Sequence, residues 1–124
     1  MKKIYLQSLG CSKNLVDSEN MLGILRKKGY EIVEFADKSD YIIINTCSFI
    51  NDAKEESINS IIEAVSLKGK NDIKVIVTGC LAQRYSEDLL KEIPEIDILI
   101  GTYEYEKIDQ LIEEYDNNNK KVIN

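Results

Sequence analysis

The residues best suited to chemistry are three cysteines: Cys11 in "SLGCSKN", Cys47 in "NTCSFIN" and Cys80 in "VTGCLAQ". The chain has no histidine, which removes Ser-His and Cys-His catalysis and most zinc-site types. Apart from two methionines, these thiols are the only soft ligands. An odd cysteine count in a cytoplasmic chain argues against a disulfide framework. There is no CxxC, and the cysteines stand 36 and 33 residues apart, so only the fold can bring them together. A single cysteine at a strand end is usually a small buried hydrophobe. Three at equivalent places suggest a shared site.

The elements around them read as alternating strands and helices. "KIYLQSL" is a first strand, "YEIVEF" a second and "DYIIIN" a third, whose consecutive isoleucines suit a parallel strand buried on both faces. "IKVIVTG" and "IDILIG" are the fourth and fifth. The first helix is expected from about Asp17, as N-cap, to the cationic turn and glycine stop of Lys27, Lys28 and Gly29. The second starts near Asp52, with Glu55 completing a capping-box pattern, and Ile58, Ile61, Ile62 and Val65 form one apolar face. The third covers about Ala82 to Glu92 and stops before Pro94. Thr102 caps a fourth, with Ile108, Leu111, Ile112 and Tyr115 inward. "DNNNKKVIN" reads as a linker or frayed tail over 116–124. The expected fold is α/β: a flavodoxin- or Rossmann-like three-layer domain over 1–115, with a five-stranded parallel sheet in the order 2-1-3-4-5.

In that order strands one, three and four are neighbours, and each is followed by a cysteine. Adjacent strands lie ~4.8 Å apart, so the outer two ligands start roughly 10 Å apart at the backbone. Inward-leaning side chains could share one small cluster at the edge where open α/β sheets bind ligands. Helix N-termini at that edge favour thiolates and an anionic cluster, and Gly10 and Gly79 leave room beside two of the cysteines. Three thiolates fit zinc, although structural zinc sites usually close with a fourth protein ligand. They also fit an iron–sulfur cluster, which normally takes four, so that one iron stays open to an outside ligand.

Composition bounds the rest. The 124 residues suffice for one core, with 44% hydrophobic residues. No apolar run reaches the ~18–20 residues of a membrane helix, and "MKKIYLQSLG" reads as a strand, not a signal peptide. A cytoplasmic location is the default. The formal net charge is −6, which argues against a broad basic face for nucleic acid and suits a basic protein partner.

"LGCSKNLVDSE", "NTCSFINDAKEES" and "GCLAQRY" followed by "EIPEIDILIG" resemble the N-terminal domain of the methylthiotransferases, which are radical S-adenosylmethionine enzymes. The match runs from the first strand to the last helix, with three motifs in order. "GCSKNLVDSE" and "NTCSFI" are most similar to the ribosomal protein aspartate type; the tRNA adenosine type is the alternative, as is a non-enzymatic metal-binding α/β module. The resemblance implies that Cys11, Cys47 and Cys80 bind an auxiliary [4Fe-4S] cluster whose open iron accepts sulfur from a donor. It assigns no catalytic residue here. In the full enzyme a second [4Fe-4S] cluster, on CxxxCxxC, cleaves S-adenosylmethionine, and a methylthio group goes to the β-carbon of an aspartate in a small-subunit ribosomal protein. This chain has no CxxxCxxC, and a C-terminal β-barrel is absent, so it is expected to be a fragment, inactive alone, that works with the radical domain of the same polypeptide. No membrane or direct nucleic-acid contact is expected.

Other polar residues have simpler roles open to them. Asn14, Asn45 and Thr46 flank cysteines and would more often satisfy backbone groups than touch a cluster. Lys13 and Arg84 could offset cluster charge or meet substrate, and Arg84 could equally be a solvated helix residue. Glu55 and Glu56 suit a helix start. The seven tyrosines show no stacking pattern.

Overall fold

The computed structural model describes residues 2–9, 12–46, 51–69, 72–101, 105–118 and 122–123, and within these it leaves out the side chains of 12–14, 51–54, 69, 80, 105 and 122–123. The strands are β1 (Lys3–Ser8), β2 (Glu31–Ile32), β3 (Tyr41–Thr46), β4 (Lys74–Gly79), β5 (Ile98–Ile100) and β6 (Val122–Ile123). The helices are α1 (Ser12–Lys27), α2 (Asn51–Ser66), α3 (Cys80–Arg84), α4 (Ser86–Glu92) and α5 (Ile108–Asn118). All pairings are parallel, in the order β2-β1-β3-β4-β5-β6. The expected 2-1-3-4-5 sheet is present. It is one strand wider, because Val122 and Ile123 of the expected tail pair with Ile98 and Leu99.

Period-two alternation in the central strands divides the core into two layers. Ile42, Ile44, Val75, Val77 and Leu99 face the layer that holds Ile61, Leu81 and Leu89, so α2, α3 and α4 cover that side. Tyr41, Ile43, Ile76, Ile98 and Ile100 face Met21, Leu25, Ile108 and Ile112, so α1 and α5 cover the other. Every residue of β3 is buried, as expected of a strand covered on both faces. The inward set expected for the last helix is borne out, with Ile108, Leu111, Ile112 and Tyr115 all buried.

Helix boundaries differ from expectation in instructive ways. α1 begins at Ser12, not Asp17. Its early apolar residues Leu15 and Val16 are exposed, so its core-facing pattern starts only at Ser18, Met21 and Leu25. Its end is as expected: Gly29 has φ 94°, its N–H donates to the Arg26 carbonyl, and the Tyr30 N–H donates to the Leu25 carbonyl. That is the paired bonding of a Schellman stop. α2 starts at Asn51, which puts Asp52 inside the first turn and not at the cap. Its face also differs: Ile61 is buried, Ile58 and Val65 are partly buried, Ile62 is exposed, and Ser57, Ser60 and Ala64 complete the inner surface. The third expected helix starts two residues early and breaks at Tyr85 (φ −124°, ψ 34°). The break lets Leu81 and Ala82 of α3 and Leu89 of α4 all enter one core. Thr102 lies outside the described residues; a 3₁₀ turn over Tyr105–Lys107 leads into α5.

A polar clamp closes the edge where the strands begin. The Tyr41 hydroxyl donates to Asp116, and Lys2 pairs with Asp116 at 3.1 Å. The Tyr115 hydroxyl donates to Asp97 at 2.9 Å, while Asp97 accepts from Lys68 at 2.6 Å and from the Val75 N–H at 2.9 Å. Burial, then the Asp116 hydrogen bond, raises Tyr41 well above the usual phenol range. Burial, then the Asp97 hydrogen bond, pushes Tyr115 up to about 12. Three tyrosine–carboxylate and lysine–carboxylate contacts thus lock α5 to the sheet, far from the cysteine edge. Among the described residues no helix is long and apolar enough to cross a membrane.

Candidate metal centre at the carboxyl edge of the sheet

The three strands that precede the cysteines end side by side. Ser8, Asn45 and Thr78 are register partners across β1, β3 and β4, and Thr46 pairs with Gly79 one step further. The Leu9 N–H still donates to the Asn45 carbonyl at 3.0 Å. Cys47 follows Thr46 directly, and Cys80 follows Gly79 and opens α3. Cys11 directly precedes Ser12, the first residue of α1. Each cysteine therefore stands in sequence where a strand of this adjacent trio gives way to the helix that follows, Cys80 as the first residue of α3. Cys11 and Cys47 lie outside the described residues, and Cys80 is described in its backbone alone. Among the described residues no group of three His, Cys, Asp or Glu is placed to hold a metal ion; the thiols are not in that set.

The carboxyl ends of β3 and β4 are tightly tied to their neighbours. The buried Asn45 amide donates to the buried Ser18 hydroxyl at 3.0 Å, tying β3 to α1. The buried Thr46 hydroxyl donates to the Thr78 carbonyl at 2.6 Å and accepts from the Ala82 N–H at 3.4 Å, which ties β3 to β4 and to the first turn of α3. Asn45 and Thr46 thus satisfy neighbouring groups of the fold, as the commoner reading of such residues expects. Ser18 and Thr78 join these ties without any signal in the sequence, since their partners are 27 and 32 residues away.

Gly79 has φ 98° and ψ −166°, a region that residues with a Cβ rarely adopt. A Cβ there would meet the Thr46 carbonyl oxygen at 2.4 Å and the Asn45 Oδ1 at 2.6 Å. The space beside Gly79 is therefore filled by β3 itself and not left for an incoming group, which corrects the role expected for this glycine. Gly10 lies outside the described residues.

The remaining polar residues are mostly peripheral. Arg84 is exposed, with its guanidinium 5.8 Å from the centre of the Tyr85 ring. Glu55 and Glu56 are exposed on α2. The side chains of Lys13 and Asn14 lie outside the described residues. The chemistry this edge offers is that of its donor set: three thiols, two next to helix starts, where peptide dipoles favour the thiolate form.

Comparison with known proteins covers the same region. Residues 3–101 match the uncharacterized protein family UPF0004, a span that takes in β1 to β5 and all three cysteines. A ribosomal protein uS12 methylthiotransferase RimO of Clostridioides difficile (strain 630) is 56% identical over 92% of this chain and 26% of its own length. Its counterpart in Lachnoclostridium phytofermentans is 55% identical over 90% of this chain and 26% of its own. That of Campylobacter jejuni (serotype O:23/36, strain 81-176) is 54% identical over 90% and 25%. The chain spans about a quarter of the length of these curated relatives. The likeness to methylthiotransferases of the ribosomal-protein type, expected from the motifs, is borne out by these relatives.

Proposed function

We propose, from the premise that the chain belongs to the uncharacterized protein family UPF0004, that it is the auxiliary [4Fe-4S]-binding domain of a methylthiotransferase acting on ribosomal protein uS12. Cys11, Cys47 and Cys80 are its three ligands. The observation that carries this reading is the in-register ending of β1, β3 and β4 at one edge, each strand being followed by one cysteine. The donor set fits the group: three soft thiols suit iron, and the absence of histidine and of a fourth cysteine leaves one position without a protein ligand.

When bound, a cluster of this kind would supply an iron open to an outside sulfur ligand, the chemistry that methylthio transfer to an aspartate β-carbon needs. The chain's own residues have simpler tasks. The thiols bind as thiolates, favoured by the N-terminal ends of α1 and α3. Asn45 with Ser18, and Thr46 with Thr78 and Ala82, hold the end of β3 against α1, β4 and α3, which fixes the residue before Cys47 in the chain and the first turn of α3. The radical step, with S-adenosylmethionine and a second cluster, belongs to sequence beyond this domain, and the domain alone does not turn over. The uS12 specified by the relatives' names supports the ribosomal branch over the tRNA branch.

Anaerobic reconstitution with iron and sulfide tests the reading. Wild-type chain is expected to take up about four iron and four sulfide, and Cys11→Ala, Cys47→Ala and Cys80→Ala each to lose them with the fold retained. Zinc bound without sulfide, or a cluster that survives any one of these substitutions, would overturn it.

A further inference from the structure

One face of the molecule carries an apolar groove that the cysteine site does not use. It runs between α2 and the α3–α4 pair and encloses about 430 Å³. Ile58, Ile62 and Val65 form one wall, and Leu81 and Leu89 face them. Ile62 is 51% exposed, although its place in the isoleucine stripe of α2 marks it as a core residue. A helix that turns such a side chain outward leaves apolar surface to be covered. Among the described residues, the charged groups lining this groove are Asp88, Glu92 and Glu95, all acidic and exposed. Lys68, near its lower end, is already held by Asp97 and the Glu95 carbonyl. At the upper end stands Leu81, the residue after Cys80.

We propose that this groove docks an apolar segment of the protein substrate flanked by lysine or arginine. The inference rests on the functional reading above, which makes the partner a protein. The apolar walls call for aliphatic or aromatic anchors, and the three carboxylates call for cations beside them. The same carboxylates repel phosphate, so nucleic acid does not fit. A segment lying along the groove points toward Cys80, which joins the docking surface to the reacting edge. Apolar burial supplies affinity, and the acidic rim selects orientation and speeds encounter.

The test measures binding of purified ribosomal protein uS12 to the metal-free chain by calorimetry at low and high salt. Ile62→Ser and the pair Asp88→Asn, Glu92→Gln are each expected to weaken binding at least about tenfold, the charge pair also flattening the salt dependence. Phe35→Ser and Glu34→Gln, exposed residues that follow β2 and do not line the groove, are expected to leave it unchanged. Circular dichroism of each variant confirms the fold. Absence of binding by wild type, or equal loss in the Phe35 and Glu34 variants, would overturn the proposal. So would concentration-dependent self-association lost in Ile62→Ser, which assigns the groove to a second copy, or protection of the groove without uS12 in a longer form of the polypeptide. Failure of cluster reconstitution overturns the functional reading instead, because groove binding is measured without metal.

Discussion

Gly79→Ala isolates the geometry at the carboxyl ends of β3 and β4. The backbone there has φ 98° and ψ −166°, where a side chain costs about 1–3 kcal/mol in dihedral strain. The new methyl carbon would stand 2.4 Å from the Thr46 carbonyl oxygen and 2.8 Å from the Thr46 nitrogen. Those are backbone atoms of the paired strand β3, and they cannot swing aside as a flexible side chain does. Overpacking of that kind adds about 1–3 kcal/mol. The expected loss is therefore about 2–6 kcal/mol, a large part of the ~5–15 kcal/mol that holds a domain folded. Urea unfolding followed by circular dichroism measures it as a lower midpoint at an unchanged slope. Two other glycines calibrate the scale. Gly29 has φ 94° but open space around it, so alanine there pays strain alone, about 1–2 kcal/mol. Gly23 lies within α1 with nothing within 4 Å of an added carbon, and alanine should stabilise by about 0.5–1 kcal/mol. If Gly79→Ala costs no more than Gly29→Ala, the close approach of β3 to β4 is not rigid and the reasoning fails.

Thr46→Val keeps shape but removes the hydroxyl that donates to the Thr78 carbonyl and accepts from the Ala82 N–H; chemical denaturation should show a loss of about 1–3 kcal/mol. Ile61→Ala and Ile62→Ala truncate neighbouring residues of one type, at 0% and 51% exposure. The first should cost about 2–5 kcal/mol and the second under about 1 kcal/mol, and equal costs would show that the face of α2 is misassigned. Tyr115 titrates near 12 in the folded chain because burial and Asp97 keep its proton on, against about 10 when unfolded. Its contribution to stability is complete below pH 10 and is lost as pH rises from 10 toward 12, where only the unfolded state has released the proton. Unfolding midpoints of wild type and Tyr115→Phe across that range should converge with rising pH; a constant gap would contradict this.

What the sequence made legible was whatever it wrote locally. The runs "DYIIIN" and "IKVIVTG" announce covered parallel strands, and their cysteines fall just past them, so the shared edge follows from strand order. The stop at Gly29 is equally local. Other features have no local signature. Leu15 and Val16 point outward, so the apolar residues at the start of α1 form no core-facing pattern. Tyr85 breaks a helix without proline or glycine, because both halves press on one core. Val122 and Ile123 are too few to show alternation within a polar tail, and only their pairing with β5 makes them a strand. The hydrogen bonds of Asn45 to Ser18 and of Thr46 to Thr78 join residues remote in sequence, and no short window contains both partners.

The position of β3 also sets an order of opening. The sheet's outermost strands, β2 and β6, are two residues each, while β3 is six residues long and wholly buried between β1 and β4. Short edges fray at little cost, whereas amides in the middle of a sheet exchange only when the whole domain unfolds. Ile42 to Ile44 should then hold deuterium out longest, and Ile32 and Val122 should admit it first. The backbone leading to Cys47 therefore belongs to the last part of the molecule to loosen, and losing β6 altogether would leave that lead undisturbed.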